Sequence, residues 1–139
     1  MVHQRNSARF LACLCLLALA SFFTLARENS SDFPNVKPEA LKKMIENKSA
    51  DILVVSNDPQ ESFDEGHIPG AVSLPWSAQL QMPVKLPRNK TLILYCSCAH
   101  EEDSSDMAAK LSQFGYRDVK VLEGGFLKWT ELKYPLEKK

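Results

Sequence analysis

Thr91-Leu92-Ile93-Leu94-Tyr95-Cys96-Ser97-Cys98-Ala99-His100 begins as an apolar run with a β-branched and an aromatic residue. Residues 91–95 have the length and composition of a buried strand and are too few for a helix. Acidic residues follow at Glu101, Glu102 and Asp103. Beyond them Met107, Ala108, Leu111 and Phe114 fall on one helical face, which predicts a helix over 104–114 with Gly115 just past its end. Cys96 thus stands where a buried strand stops and a loop opens toward a helix N-terminus. In open α/β sheets, ligands and chemistry collect at that edge. Free N–H groups and the positive end of a helix dipole favour a thiolate there. Cys96 is therefore a candidate nucleophile. The competing reading is a buried structural thiol, because cysteine is among the most buried residue types. A second cysteine at 98 and the polar loop favour the nucleophile.

Upstream, Pro38 suits the first position of a helix, and Leu41, Met44 and Ile45 continue one over 38–47. Residues 52–55 predict a short buried strand. Asp58-Pro59-Gln60-Glu61 has the form of an N-cap, a first-turn proline and a box acid, opening a brief helix that Gly66 ends. His67-Ile68-Pro69-Gly70 reads as a turn into a strand over 71–74. Residues 75–89 hold three prolines and Trp76 and predict a loop with room for one helical turn. Downstream come a strand over 119–122, a turn at Gly124-Gly125, and a helix over 126–132 with Phe126 and Trp129 inward. From residue 52 the order is β-α-β-β-α-β-α, and its strands do not alternate in polarity. That is the pattern of an α/β protein with a parallel sheet.

The start of the 139-residue chain has a different character. Residues 1–9 are polar and carry Arg5 and Arg9, and residues 10–26 are apolar apart from Ser21 and Thr24. A basic segment before an apolar one is the form of an export signal. Ala18-Leu19-Ala20 fits the small-x-small cleavage pattern, with Thr24-Leu25-Ala26 a weaker match. This seventeen-residue span also reaches the lower limit for a membrane helix, which makes a retained anchor the alternative. The expected organisation is a signal peptide or N-terminal membrane anchor over 1–26, a linker over 27–35, and one domain over 36–139. The expected location is exported, periplasmic or otherwise extracytoplasmic, with the inner membrane touched only through residues 10–26. The formal net charge of zero gives no support to nucleic-acid binding. Beyond residue 26 the only cysteines are Cys96 and Cys98, too few for a disulfide framework. Two neighbouring thiols in an exported domain point instead to redox or sulfur chemistry.

Three motifs together resemble the rhodanese-like family. They are Gly66-His67-Ile68-Pro69-Gly70-Ala71, Tyr95-Cys96 at the end of the central strand, and Leu122-Glu123-Gly124-Gly125-Phe126-Leu127-Lys128-Trp129. The likeness spans residues 36–135. It implies a three-layer α/β/α fold around a central, mostly parallel five-stranded sheet. It also implies a sulfurtransferase in which Cys96 carries sulfane sulfur as a persulfide. Ser97, Ala99, His100, Glu101 and Glu102 would form the substrate-binding loop, and Cys98 would join Cys96 in the chemistry. The partners implied are a sulfur donor and a thiol acceptor, small molecule or protein, acting on a monomer. No cofactor and no resident metal are implied.

The chain departs from the family pattern in two places. The usual loop runs from the cysteine through four residues to an arginine, and here that position is Glu101. Ser56 and Asp58 replace the usual aspartate and arginine after the second strand. No arginine is left to hold an anionic donor such as thiosulfate, and Glu101, Glu102 and Asp103 oppose one. Phosphate chemistry is disfavoured for the same reason. Cys98 has three readings: a resolving thiol, a metal ligand or a spectator. Two rival functions follow. One is a binding module that docks a partner or holds copper or zinc through Cys96, Cys98 and His100. The other is a thiol oxidoreductase using the Cys-x-Cys pair. Glu101 and Glu102 also suit a helix dipole with no further role, and His67 suits a structural turn.

Overall fold

Thr91–Tyr95 forms the middle strand of a five-stranded sheet. The structure, a computed structural model, describes residues 33–139, so the expected export segment and most of the linker lie outside the described residues. In chain order the elements are β1 (Asn35–Val36), α1 (Pro38–Glu46), β2 (Ile52–Ser56), α2 (Gln60–Glu65), β3 (Val72–Ser73), β4 (Thr91–Tyr95), α3 (Glu102–Gln113), β5 (Val119–Leu122) and α4 (Gly125–Glu131). The sheet order is β1-β5-β4-β2-β3, and every neighbouring pair is parallel. This is the expected three-layer α/β/α arrangement, with all five strands rather than most of them parallel.

Strand parity assigns the two faces. Leu92 and Leu94 of β4 and Val119 and Val121 of β5 pack with Met107, Ala108 and Leu111 of α3. Ile93 and Tyr95 turn the other way, toward Leu41 of α1 and Trp129 of α4. Both faces are thereby covered, which explains strands that are apolar at successive positions. Each fully buried leucine or isoleucine stabilises the fold by about 1.5–3 kcal/mol. Among the described residues, no helix is long and apolar enough to cross a membrane.

Three local expectations change. Asn35–Val36, at the end of the expected linker, forms an edge strand, with Val36 buried and in register with Leu122. Two residues carry no periodicity, and this strand exists because β5 offers it an edge. The N-cap position of α2 is Pro59, with no side-chain cap, so Asp58 does not cap that helix. Residues 75–90 contain no helical turn. They lie against α3 through partly buried Leu80, Val84 and Leu86.

Candidate functional site

The register Ser56↔Tyr95 brings the C-terminal ends of β2 and β4 side by side. Asp58 and Ser97, two residues beyond each, meet there. The Asp58 carboxylate accepts the Ser97 backbone N–H at 2.6 Å and its hydroxyl at 3.1 Å. Asp58 is only 7% exposed, so those bonds offset a burial that would otherwise be costly.

Cys96 continues the parity of Leu92 and Leu94, and its side chain therefore enters beneath the first turn of α3. Its thiol donates to the Ser104 hydroxyl at 3.6 Å, and that hydroxyl donates to the Glu101 carbonyl at 3.1 Å. The Cys96 carbonyl accepts the Phe126 N–H at 2.9 Å. The backbone of α4 comes so close that a Cβ on Gly125 would lie 2.3 Å from that carbonyl oxygen. Cys96 is 0% exposed, as the competing reading of a buried thiol expects. The burial comes from strand parity and from the loop folding back over it.

Cys98 is partly exposed and lies near enough to Cys96 for its sulfur to act on the Cys98 thiol. Burial, and then the Cys96 sulfur, push the Cys98 thiol well above its ordinary range. The Asp103 backbone N–H at the start of α3 pulls it the other way. Glu101 takes a left-handed conformation, and its carboxylate accepts the Gly124 N–H. It is a strut between the cysteine loop and the closing turn. Glu102 is exposed, and its carboxylate accepts the His100 N–H at 3.1 Å. Its own N–H and that of His100 hold it below the usual carboxylate range. Ser97, Ala99 and His100 are all exposed on the loop surface.

Among the described residues, no three His, Cys, Asp or Glu side chains are placed to hold one metal ion. Cys96, Cys98 and His100, weighed above as a copper or zinc site, therefore do not converge as a ligand set. His67 is buried just past α2. Its ring stacks on Phe63 with centroids 3.9 Å apart, and its Nδ1 is 2.8 Å from the Phe63 carbonyl.

The profile of the rhodanese-like domain matches residues 37–132. The chain belongs to the rhodanese-like family. It is 30% identical over 94 residues to the adenylyltransferase and sulfurtransferase UBA4 of Meyerozyma guilliermondii, covering 59% of this chain and 21% of that one. It is also 30% identical over 82 residues to the thiosulfate sulfurtransferase GlpE of Coxiella burnetii, covering 59% of this chain and 75% of that one. The chain thus spans about a fifth of the length of the first relative. The crystal structure of the BH2092 protein from Bacillus halodurans superposes with a TM-score of 0.69 at 25% identity, covering 94% of this chain and 86% of that one.

Sequence reasoning missed three residues that shape this rhodanese-like site. Asp58 was concealed by its proline neighbour, which gave it the look of a helix cap. Ser104 was read only as a helix start, although its first-turn position faces the sheet. Gly125 was read as a turn residue, whereas the close approach of the Cys96 carbonyl is what requires a glycine there.

Proposed function

We propose that this rhodanese-like domain is an exported sulfurtransferase that carries sulfane sulfur as a persulfide on Cys96. The observation that carries the reading is the seat of Cys96: the end of the central strand, under α3's first turn, with a second thiol two residues on. Loading is a displacement on sulfur. A Cys96 S–S bond to the sulfane sulfur forms as the S–S bond that held that sulfur breaks, and the thiol it leaves is released. Unloading is the same displacement in reverse, with the sulfur ending on an acceptor thiol and Cys96 freed. Family membership supports the reaction class, and the basic and apolar pattern of residues 1–26 supports export.

The donor is a neutral or protein-bound persulfide rather than thiosulfate. The hydrogen bonds of residues 96–102 involve Asp58, Glu101 and Glu102 and no lysine or arginine. A dianionic donor finds repulsion there in place of a clamp. Incubation with a small alkyl persulfide, followed by intact mass and peptide mapping, tests the assignment. The expected result is a gain of about 32 Da, one sulfur atom, on Cys96. A protein that never carries the extra sulfur on Cys96 overturns the reading. A parallel thiosulfate arm is expected to load far more slowly.

A further inference from the structure

Cys96 and Cys98 differ in how solvent reaches them. Cys96 is 0% exposed, while Cys98 is partly exposed. The cover over Cys96 is tied down on several sides. Ser104 of α3 receives its thiol, the Phe126 N–H holds its carbonyl, and Gly125 presses against the same oxygen. Glu101 joins the loop to Gly124, and Asp58 joins it to β2 through Ser97. An external donor must bring its sulfur within about 3–3.5 Å of the attacking thiolate and in line with it. A thiol so enclosed offers no such approach. The thiol beside it does.

Resting on the sulfur-carrier reading above, we infer that Cys98 is the port of the site: sulfane sulfur enters on Cys98, passes inward to Cys96, and leaves by the reverse path. In the first step the Cys98 thiolate attacks the sulfane sulfur of a persulfide donor. The Cys98 S–S bond forms, the donor's S–S bond breaks, and the departing donor thiolate takes the proton that Cys98 gave up. In the second step the Cys96 thiolate attacks the outer sulfur of the Cys98 persulfide. A Cys96 S–S bond forms, the Cys98 S–S bond breaks, and the proton from Cys96 returns to Cys98. Sulfane sulfur keeps its oxidation level throughout, so neither an oxidant nor a reductant is consumed. Attack on the inner sulfur would instead close a disulfide across one intervening residue and expel sulfide, and the strain of that small ring opposes it.

Single-turnover loading of the full chain with an alkyl persulfide, quenched by alkylation and mapped by peptide mass, tests the port. In the native protein the extra sulfur should appear first on Cys98 and then on Cys96. Cys98→Ser should load Cys96 at least about tenfold more slowly. Cys96→Ser should hold the sulfur on Cys98, a result that does not depend on the folding of Cys98→Ser. The port is overturned if Cys98→Ser loads Cys96 at the native rate or if Cys96→Ser gains no sulfur on Cys98. It is also overturned if the native protein loses about 2 Da and releases sulfide, the mark of a Cys96–Cys98 disulfide. Loading of Cys96 at the native rate in Cys98→Ser removes the port alone. A native protein that never holds sulfur on Cys96 removes the carrier reading with it.

Discussion

Gly125 is the residue at which the closing helix meets the cysteine loop. It sits at φ +52, and an added Cβ would stand 2.3 Å from the Cys96 carbonyl oxygen. Gly125→Ala therefore combines left-handed strain with displacement of the Phe126 N–H from that oxygen. Together these should cost roughly 2–4 kcal/mol. Urea denaturation should show a lower midpoint with little change in slope. A midpoint equal to the native one would mean that the two backbones can separate freely. At this scale the sequence was legible in part. It located Cys96 and Cys98 and noted the glutamate at 101, because residue type and position in the chain are written there. It assigned Glu101 to substrate binding by analogy of position. Its contact with Gly124 joins residues far apart in the chain, and no local pattern records that.

At the scale of elements, the segment 75–90 shows how a loop without regular structure is held. The Tyr116 hydroxyl, just past α3, lies 3.1 Å from the Val84 carbonyl and 3.2 Å from that of Leu86. Arg88 lies over the Tyr116 ring at 4.5 Å and donates to the Phe114 carbonyl at 3.0 Å. Farther along α3, the Trp76 indole donates to Asp106 at 2.6 Å, with the Lys110 ammonium 5.0 Å from its ring centre. Trp76 is 44% exposed, so it is pinned along one edge and open on the other. Tyr116→Phe removes the hydroxyl and leaves the ring. Its global cost should be about 1 kcal/mol. The larger effect should be local, with faster trypsin cleavage after Lys85 and Arg88 than in the native protein. Equal cleavage rates would show that the apolar contacts of Leu80, Val84 and Leu86 hold the loop unaided. The long elements were legible: β4 and β5 stand where their apolar runs stand, and α3 follows its apolar face. What escaped was whatever depends on a neighbour in space, such as the two-residue strand β1 and the pairing of Asp58 with Ser97.

Across the whole molecule, Tyr95 links several parts of the fold from one buried position. Its ring faces the α1/α4 layer and stacks on Phe126 with centroids 5.8 Å apart. Its hydroxyl accepts the Ile68 N–H at 3.3 Å. The family's turn motif, its central strand and its closing helix therefore converge on one phenol. Burial raises that phenol from its ordinary 10.0 to about 12, with Ser56 and the Ile68 N–H opposing the rise and the Asp58 charge adding to it. The unfolded chain releases this proton near 10, while the folded chain keeps it to about 12. Between those values the folded state binds the extra proton, so stability falls as pH rises. Below the lower value the contribution is intact, and above the higher one it is gone. Two units correspond to roughly 2–3 kcal/mol. Tyr95→Phe should begin less stable by about 1 kcal/mol near neutrality, for want of the Ile68 bond. It should then lose less on the alkaline side, and the native and variant curves should converge or cross between about pH 10 and 12. Other titrating groups are common to both proteins and cancel in the difference. Parallel curves through that window would show that the phenol ionises in place, and that the three motifs do not depend on its proton.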